Sequence, residues 1–174
     1  MPEAVIVATA RSPIGRAAKG SMTGFRPDDL AATIVQAALD KVPQLDPSTL
    51  DDLMLGCGLP GGEQGFNMAR VVAVLLGHDE LPGTTVTRYC ASSLQTIRMA
   101  FHAIKAGEGN AFVAAGVETV SRYAKTGLWV SGQASELPFA YRLTVSTPAA
   151  TNACPSPALI AWKAIRIVCR EDAQ

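Results

Sequence analysis

Short apolar runs alternate with amphipathic helical stretches between Ala4 and Val117, and few folds accept that order. The first run, Ala4 to Ala8 (Ala-Val-Ile-Val-Ala), is β-branched at its centre, as in strands buried within parallel sheets. Pro27-Asp28-Asp29 marks a helix start, with Pro in the first turn and acids at the positive end of the helix dipole. Leu30, Ile34, Val35, Ala38, Leu39 and Val42 then share one helical face until Pro43 stops it. Leu53-Met54-Leu55 reads as a second buried strand, and Asn67 to Leu76 as a second helix closed by Gly77. Thr84-Thr85-Val86 is a β-branched third strand. A third helix runs from Ala91 to Ala106, with Leu94, Ile97, Phe101 and Ile104 on its apolar face and Gly107 closing it. Ala111 to Val117 reads as a fourth buried strand. Strands that alternate with helices need crossover connections, so the expected fold is α/β with a mainly parallel sheet.

The pattern decays beyond Lys125, which divides the chain into an ordered region, 1–125, and an irregular tail, 126–174. Ser131 to Pro157 holds no sustained period, and residues from Ser131 onward are expected to pack weakly. Ala158 to Val168, with Trp162, Lys163 and Arg166, reads as a short amphipathic helix without an evident partner. Hydrophobic residues make up 48% of the chain and charged ones 17%, a globular composition over 174 residues, long enough for one buried core. The 15 Lys and Arg balance the 15 Asp and Glu, so no global charge draws the chain to nucleic acid or an anionic membrane. No apolar run reaches the length of a bilayer span, and Met1-Pro2-Glu3 opens no secretory signal, so the cytoplasm is the expected compartment. Cys57, Cys90, Cys154 and Cys169 show neither Cys-x-x-Cys spacing nor a neighbouring His cluster, which argues against a metal site and a disulfide scaffold.

Cys90 is the candidate nucleophile. It sits where a strand ends and a helix begins, in Val86-Thr87-Arg88-Tyr89-Cys90-Ala91-Ser92-Ser93. Unpaired backbone N–H groups and the positive end of the helix dipole favour a thiolate there, and an inward-pointing Arg88 would add to this. Ala91, Ser92 and Ser93 are small enough to admit a substrate carbonyl. A thiolate so placed can be acylated while helix-end amides stabilise the oxyanion. The competing reading is a small core cysteine beneath a helix cap. For Cys57, in a Gly-rich loop, and for Cys154 and Cys169, in the tail, the structural reading is preferred. A base is harder to find. His102 lies twelve residues along the helix that Cys90 opens, roughly 18 Å away along the axis. His78 stands at a helix-to-loop junction, where an exposed histidine is expected.

Four segments in one order resemble the thiolases. Arg11-Ser12-Pro13-Ile14-Gly15 after the first strand is similar to the family's opening. Gly61-Gly62-Glu63-Gln64-Gly65-Phe66-Asn67-Met68-Ala69-Arg70 resembles its loop into the second helix. Val86 through Ile97 resembles its nucleophile motif, and Gly116-Val117-Glu118-Thr119-Val120-Ser121 the strand end that follows. By this resemblance Cys90 takes the acyl group from an acyl-CoA. The implied fold is one β-α-β-α-β half of a five-layer α-β-α-β-α sandwich that forms homo-oligomers. The implied reaction is Claisen condensation or thiolysis of a 3-ketoacyl-CoA, within fatty acid metabolism and β-oxidation. Acyl-CoA and CoA are then substrates, and no permanently bound cofactor is implied.

In that family a second cysteine, a His and an Asn act from the second half, and no segment here matches them. The tail likewise does not resemble the loop region that covers CoA. A truncated or frame-shifted product, inactive alone, is therefore expected. Two alternatives stand beside the thiolase reading, a 3-ketoacyl synthase-like condensing enzyme and a non-catalytic half-domain. Three further signals rank lower. Gly56-Cys57-Gly58-Leu59-Pro60-Gly61 fits a dinucleotide fingerprint, yet Pro60 and more glycines delay the helix that would meet a pyrophosphate. Glu118 reads as a hydrogen-bonded structural carboxylate at a strand end. Lys163, Arg166 and Arg170 read as a solvated face rather than a CoA phosphate site.

Overall fold

Period-two alternation within the central strands decides which side of the sheet each helix covers. A computed structural model of the chain describes residues 2–16, 19–123 and 165–170, with backbone alone for 123 and 165–170. Its strands are β1 (Ala4–Ala10), β2 (Asp52–Gly56), β3 (Gly83–Val86), β4 (Ala111–Gly116) and β5 (Ile165–Arg170). Its helices are α1 (Pro27–Leu39), α2 (Met68–Leu75), α3 (Ser92–Ala106) and the short α4 (Val120–Tyr123). One sheet carries all five strands in the order β1-β5-β4-β2-β3. β2 pairs in parallel with β3 and β4, while β5 runs antiparallel to both β1 and β4. Four strands therefore point one way and one opposes them, a mainly parallel α/β sheet.

Leu53 and Leu55 of β2, with Ala111, Val113 and Ala115 of β4, face α1 and α2. There they meet Ala31, Val35, Ala38 and Leu39 of α1 and Met68, Ala69, Val72 and Ala73 of α2. Met54, Phe112 and Ala114 point the other way and pack on Ala100, Ala103 and Ile104 of α3. Each fully buried Leu or Val contributes about 1.5–3 kcal/mol through removal of its apolar surface from water. Helices on both faces satisfy a sheet whose central strands are apolar on both sides.

The apolar face of α3 differs from the expectation. Leu94 is 66% exposed and Phe101 42% exposed, whereas the sheet-facing residues are Ser92, Thr96, Ala100, Ala103 and Ile104. Small residues let the helix lie close to the sheet, and the polar ones find partners there. The Thr96 hydroxyl reaches the carbonyls of Ser93 at 2.8 Å and Ala115 at 3.0 Å. Gly56 and Gly116, which sit opposite each other across β2 and β4, make this approach possible. A Cβ on Gly56 would stand 2.5 Å from the Ser92 carbonyl carbon, and one on Gly116 would stand 2.5 Å from the Ser93 Cβ. The first turn of α3 thus rests on the carboxyl ends of two strands.

Two further expectations change. β1 lies at the sheet edge and is only partly buried, with Ile6 51% exposed. The end of the segment expected as a tail helix, Ile165 to Val168, is instead the start of β5. Ile165, Ile167 and Val168 are β-branched, and pairing on both sides satisfies that strand's backbone. Lys163 and the stretch from Ser131 to Pro157 lie outside the described residues.

Candidate active site

Cys90 occupies a 3-10 turn, Tyr89–Ala91, between the carboxyl end of β3 and the first residue of α3. Its thiol is free and exposed. The sequence before it leaves the strand sharply, and the backbone shows the cost. Tyr89 adopts φ 47°, a left-handed conformation that side chains bearing a Cβ rarely take. Ser92 holds the turn in that shape. Its buried hydroxyl accepts the Arg88 N–H at 2.8 Å and donates to the Tyr89 carbonyl at 2.6 Å. The Ala91 N–H closes the turn on the Arg88 carbonyl at 3.0 Å. Backbone strain maintained by neighbouring hydrogen bonds is characteristic of functional turns.

A second loop supports the turn from below. The Thr87 hydroxyl donates to the Gly58 carbonyl at 3.1 Å, and the Cys57 N–H donates to the Val86 carbonyl at 2.9 Å. The Gly58 N–H donates to Glu118 Oε2 at 2.7 Å, and Gln64 Nε2 donates to Glu118 Oε1 at 2.7 Å. Gln64 in turn accepts the Thr119 N–H at 2.8 Å and donates to the Leu59 carbonyl at 2.9 Å. Glu118 keeps some solvent contact, yet burial raises its pKa above the usual carboxylate range against the opposing pull of Gln64 and Gly58. Cys57 lies fully buried with its Sγ 3.9–4.0 Å from the Glu118 oxygens. Burial, reinforced by the Glu118 charge, pushes the Cys57 thiol up to about 12, so it stays protonated near neutral pH.

The expected site residues divide clearly. Arg88 does not turn inward; its guanidinium donates to Gln95 Oε1 at 2.6 Å on the surface. His78 follows α2 near the start of β3, at the amino end of the sheet and opposite the Cys90 turn. His102 is exposed on the far part of α3, with its ring against Phe101. Neither histidine is brought to Cys90. The glycines of the dinucleotide-like stretch are used internally, since the Gly58 amide binds Glu118 and α2 opens only at Met68. Arg166 and Arg170 lie in β5, whose side chains are not described. Among the described residues, no group of three or more His, Cys, Asp or Glu is placed to hold a metal, and no helix is long and apolar enough to cross a membrane. Gln64 and Ser92 are the contributors that sequence reasoning did not single out. Gln64 stands alone in a glycine loop with no periodic signal, and Ser92 is one of several small residues in its motif.

A mainly parallel α/β sheet thus carries, at its carboxyl edge, an exposed cysteine on the strained opening turn of a helix. The sequence matches the family description "Thiolase, N-terminal domain" over residues 4–141, and the chain belongs to the thiolase family. It is 44% identical over 123 residues to a 3-ketoacyl-CoA thiolase of Bacillus subtilis, covering 70% of this chain and 31% of that protein. It is 44% identical over 121 residues to a β-ketoadipyl-CoA thiolase of Pseudomonas knackmussii, covering 69% and 30%. Its fold is similar to the crystal structure of an acetyl-CoA acetyltransferase of Bacillus anthracis, with TM-score 0.65 and 34% identity over 70% of this chain and 30% of that one. The matched region thus spans about three tenths of each relative's length.

Proposed function

We propose that this chain carries the acyl-accepting cysteine of a thiolase-type acyl-CoA acyltransferase, and that Cys90 is that cysteine. The observation that carries the reading is the exposed Cys90 thiol on the strained turn opening α3. In the proposed step, Cys90 Sγ attacks the thioester carbonyl carbon of an acyl-CoA. The tetrahedral oxyanion collapses, the bond to the CoA sulfur breaks, and CoA leaves as a thiolate that takes up a proton. The positive end of the α3 dipole favours such an oxyanion, while the Ala91 and Ser92 N–H groups are themselves taken by the Arg88 and Tyr89 carbonyls. The unit supporting this chemistry is 1–125, with β5 added to its sheet. The names of the Bacillus subtilis and Pseudomonas knackmussii relatives share a 3-ketoacyl-CoA thioester, and that substrate class is proposed here, with CoA as the second substrate. Fatty acid degradation is one setting for it and the breakdown of a ketoadipyl thioester another.

Turnover asks for more than acylation, because a base must remove an α-proton and a donor must hold the enolate. His78 and His102 are both remote from Cys90, so acylation without appreciable turnover is the expected behaviour of this chain. Incubation with acetyl-CoA should add one acetyl group to the Cys90 peptide, seen by mass spectrometry, and Cys90→Ser should abolish it. Ordinary rates of acetoacetyl-CoA thiolysis would overturn the half-reaction view. Acylation only by acyl-carrier-protein thioesters would favour a 3-ketoacyl synthase instead.

A further inference from the structure

Gly58 is clasped between Glu118 and the Cys90 turn. A Cβ built on it would lie 2.9 Å from Glu118 Oε2 and 3.3 Å from the Tyr89 carbonyl oxygen. We propose that Glu118, held by Gln64, is a positioning residue that fixes the Cys90 turn through Gly58. This deepens the assignment of Cys90 as nucleophile and rests on it. The linkage is continuous. The Glu118 carboxylate takes the Gly58 N–H, the Gly58 carbonyl takes the Thr87 hydroxyl, and Thr87 opens the segment Arg88-Tyr89-Cys90. Gln64 completes the frame, because its two ends bind Glu118 and Thr119 across a sequence separation of more than fifty residues. An apolar side chain would fill the same corner without the cost of enclosing a carboxylate. Only an acceptor can hold the Gly58 amide and the Gln64 amide at once, and those two donors set the distance between the loop and the turn. A left-handed Tyr89 needs such outside support, since the turn alone would relax.

The test uses the full chain, iodoacetamide as probe, and peptide mapping of each cysteine across a pH series. Wild-type chain should label Cys90 first; labelling of another cysteine ahead of it would sink the nucleophile assignment itself, whatever the variants do. Glu118→Gln keeps the volume but turns one acceptor into a donor facing other donors. It should slow Cys90 alkylation roughly tenfold and displace the pH dependence of that alkylation from the wild-type one. Thr87→Val, on the exposed side of the same linkage, should act in the same direction and decides the matter if Glu118→Gln does not fold. Asp51→Ala is the control. Asp51 caps the amino end of β4, accepting the Asn110 and Ala111 N–H groups at 2.6 and 2.9 Å, and should lower stability without moving the Cys90 profile. Folded Glu118→Gln or Thr87→Val chains with unchanged or faster Cys90 alkylation would overturn the positioning role while leaving Cys90 as nucleophile. An equal displacement in Asp51→Ala would overturn it too, because general loosening would then suffice.

Discussion

Tyr89 sits in a conformation that costs a residue bearing a Cβ about 1–3 kcal/mol, and it does so one position before Cys90. Glycine takes that backbone without penalty, at a price of roughly 0.4–1 kcal/mol in unfolded-chain entropy. Tyr89→Gly should therefore leave stability unchanged or raise it by up to about 2 kcal/mol, while slowing Cys90 alkylation as the turn loosens. Thermal unfolding and alkylation measured on the same samples check both halves. Cys57 makes the contrast. Its folded pKa of about 12 lies above the ordinary thiol value, so the folded state keeps a proton that the unfolded state loses first. Its contribution to stability is complete below the ordinary thiol pKa and is lost as pH rises toward about 12. Denaturant titrations from neutral to alkaline pH should show that decline, and Cys57→Ala should flatten it. At this scale the position of Cys90 at a strand-to-helix junction was legible, because a short strand followed by a helical period brackets it. The Glu118–Gln64 pair was not, because a contact across 54 residues leaves no local pattern.

At the scale of elements, the seating of α3 depends on the absence of two side chains. Gly56→Ala should push the first turn of α3 off β2, because its Cβ would meet backbone, which cannot swing aside as a side chain can. Overpacking of this kind costs typically about 1–3 kcal/mol, and Cys90 labelling should become less selective as the turn shifts. A charged cluster ties other elements together. Arg26 at the start of α1 pairs with Asp28 and Glu63, and Arg122 of α4 pairs with Glu63. The Arg122 hydrogen bond holds the Glu63 carboxyl below its usual range; burial pushes Asp28 up, but Arg26 and the Asp29 amide prevail and lower it. Both carboxylates therefore add stability above their ordinary pKa values, lost as pH falls through the lowered ones. Hydrogen exchange around Gly62–Gln64 should quicken in Arg122→Ala near neutral pH and differ little from wild type once the carboxylates are protonated. β2 and β4 were legible because unbroken apolar runs of that length suit a strand buried on both faces. The face of α3 was not, because large apolar residues lie on its outer side and hydroxyl groups on its inner one. Ser92 and Thr96 are buried because backbone carbonyls receive them, which periodicity does not record.

For the molecule as a whole, Leu94 and Phe101 remain exposed on one side of α3, seven residues apart and so close in angle about the helix axis. Exposed apolar surface on a helix promotes association, so sedimentation velocity should show concentration-dependent self-association, reduced in Leu94→Lys with Phe101→Glu. The α/β class was legible from the alternation of runs, yet the sheet order was not, because Ile165 to Arg170 mixes apolar and basic residues in a way that fits either period. That strand has a temporal consequence. β5 lies between β1 and β4, and among the described residues β5 is β1's only partner in the sheet. On a ribosome, β1 emerges first and waits through more than 150 residues of synthesis for the segment that bridges it to its neighbours. At about 5–20 residues per second that interval is many seconds, during which β2, β3 and β4 can assemble by local crossovers while one border of β4 stays open. The order of assembly is thus written into the strand order, with the described sheet closed by β5, the strand made after the other four.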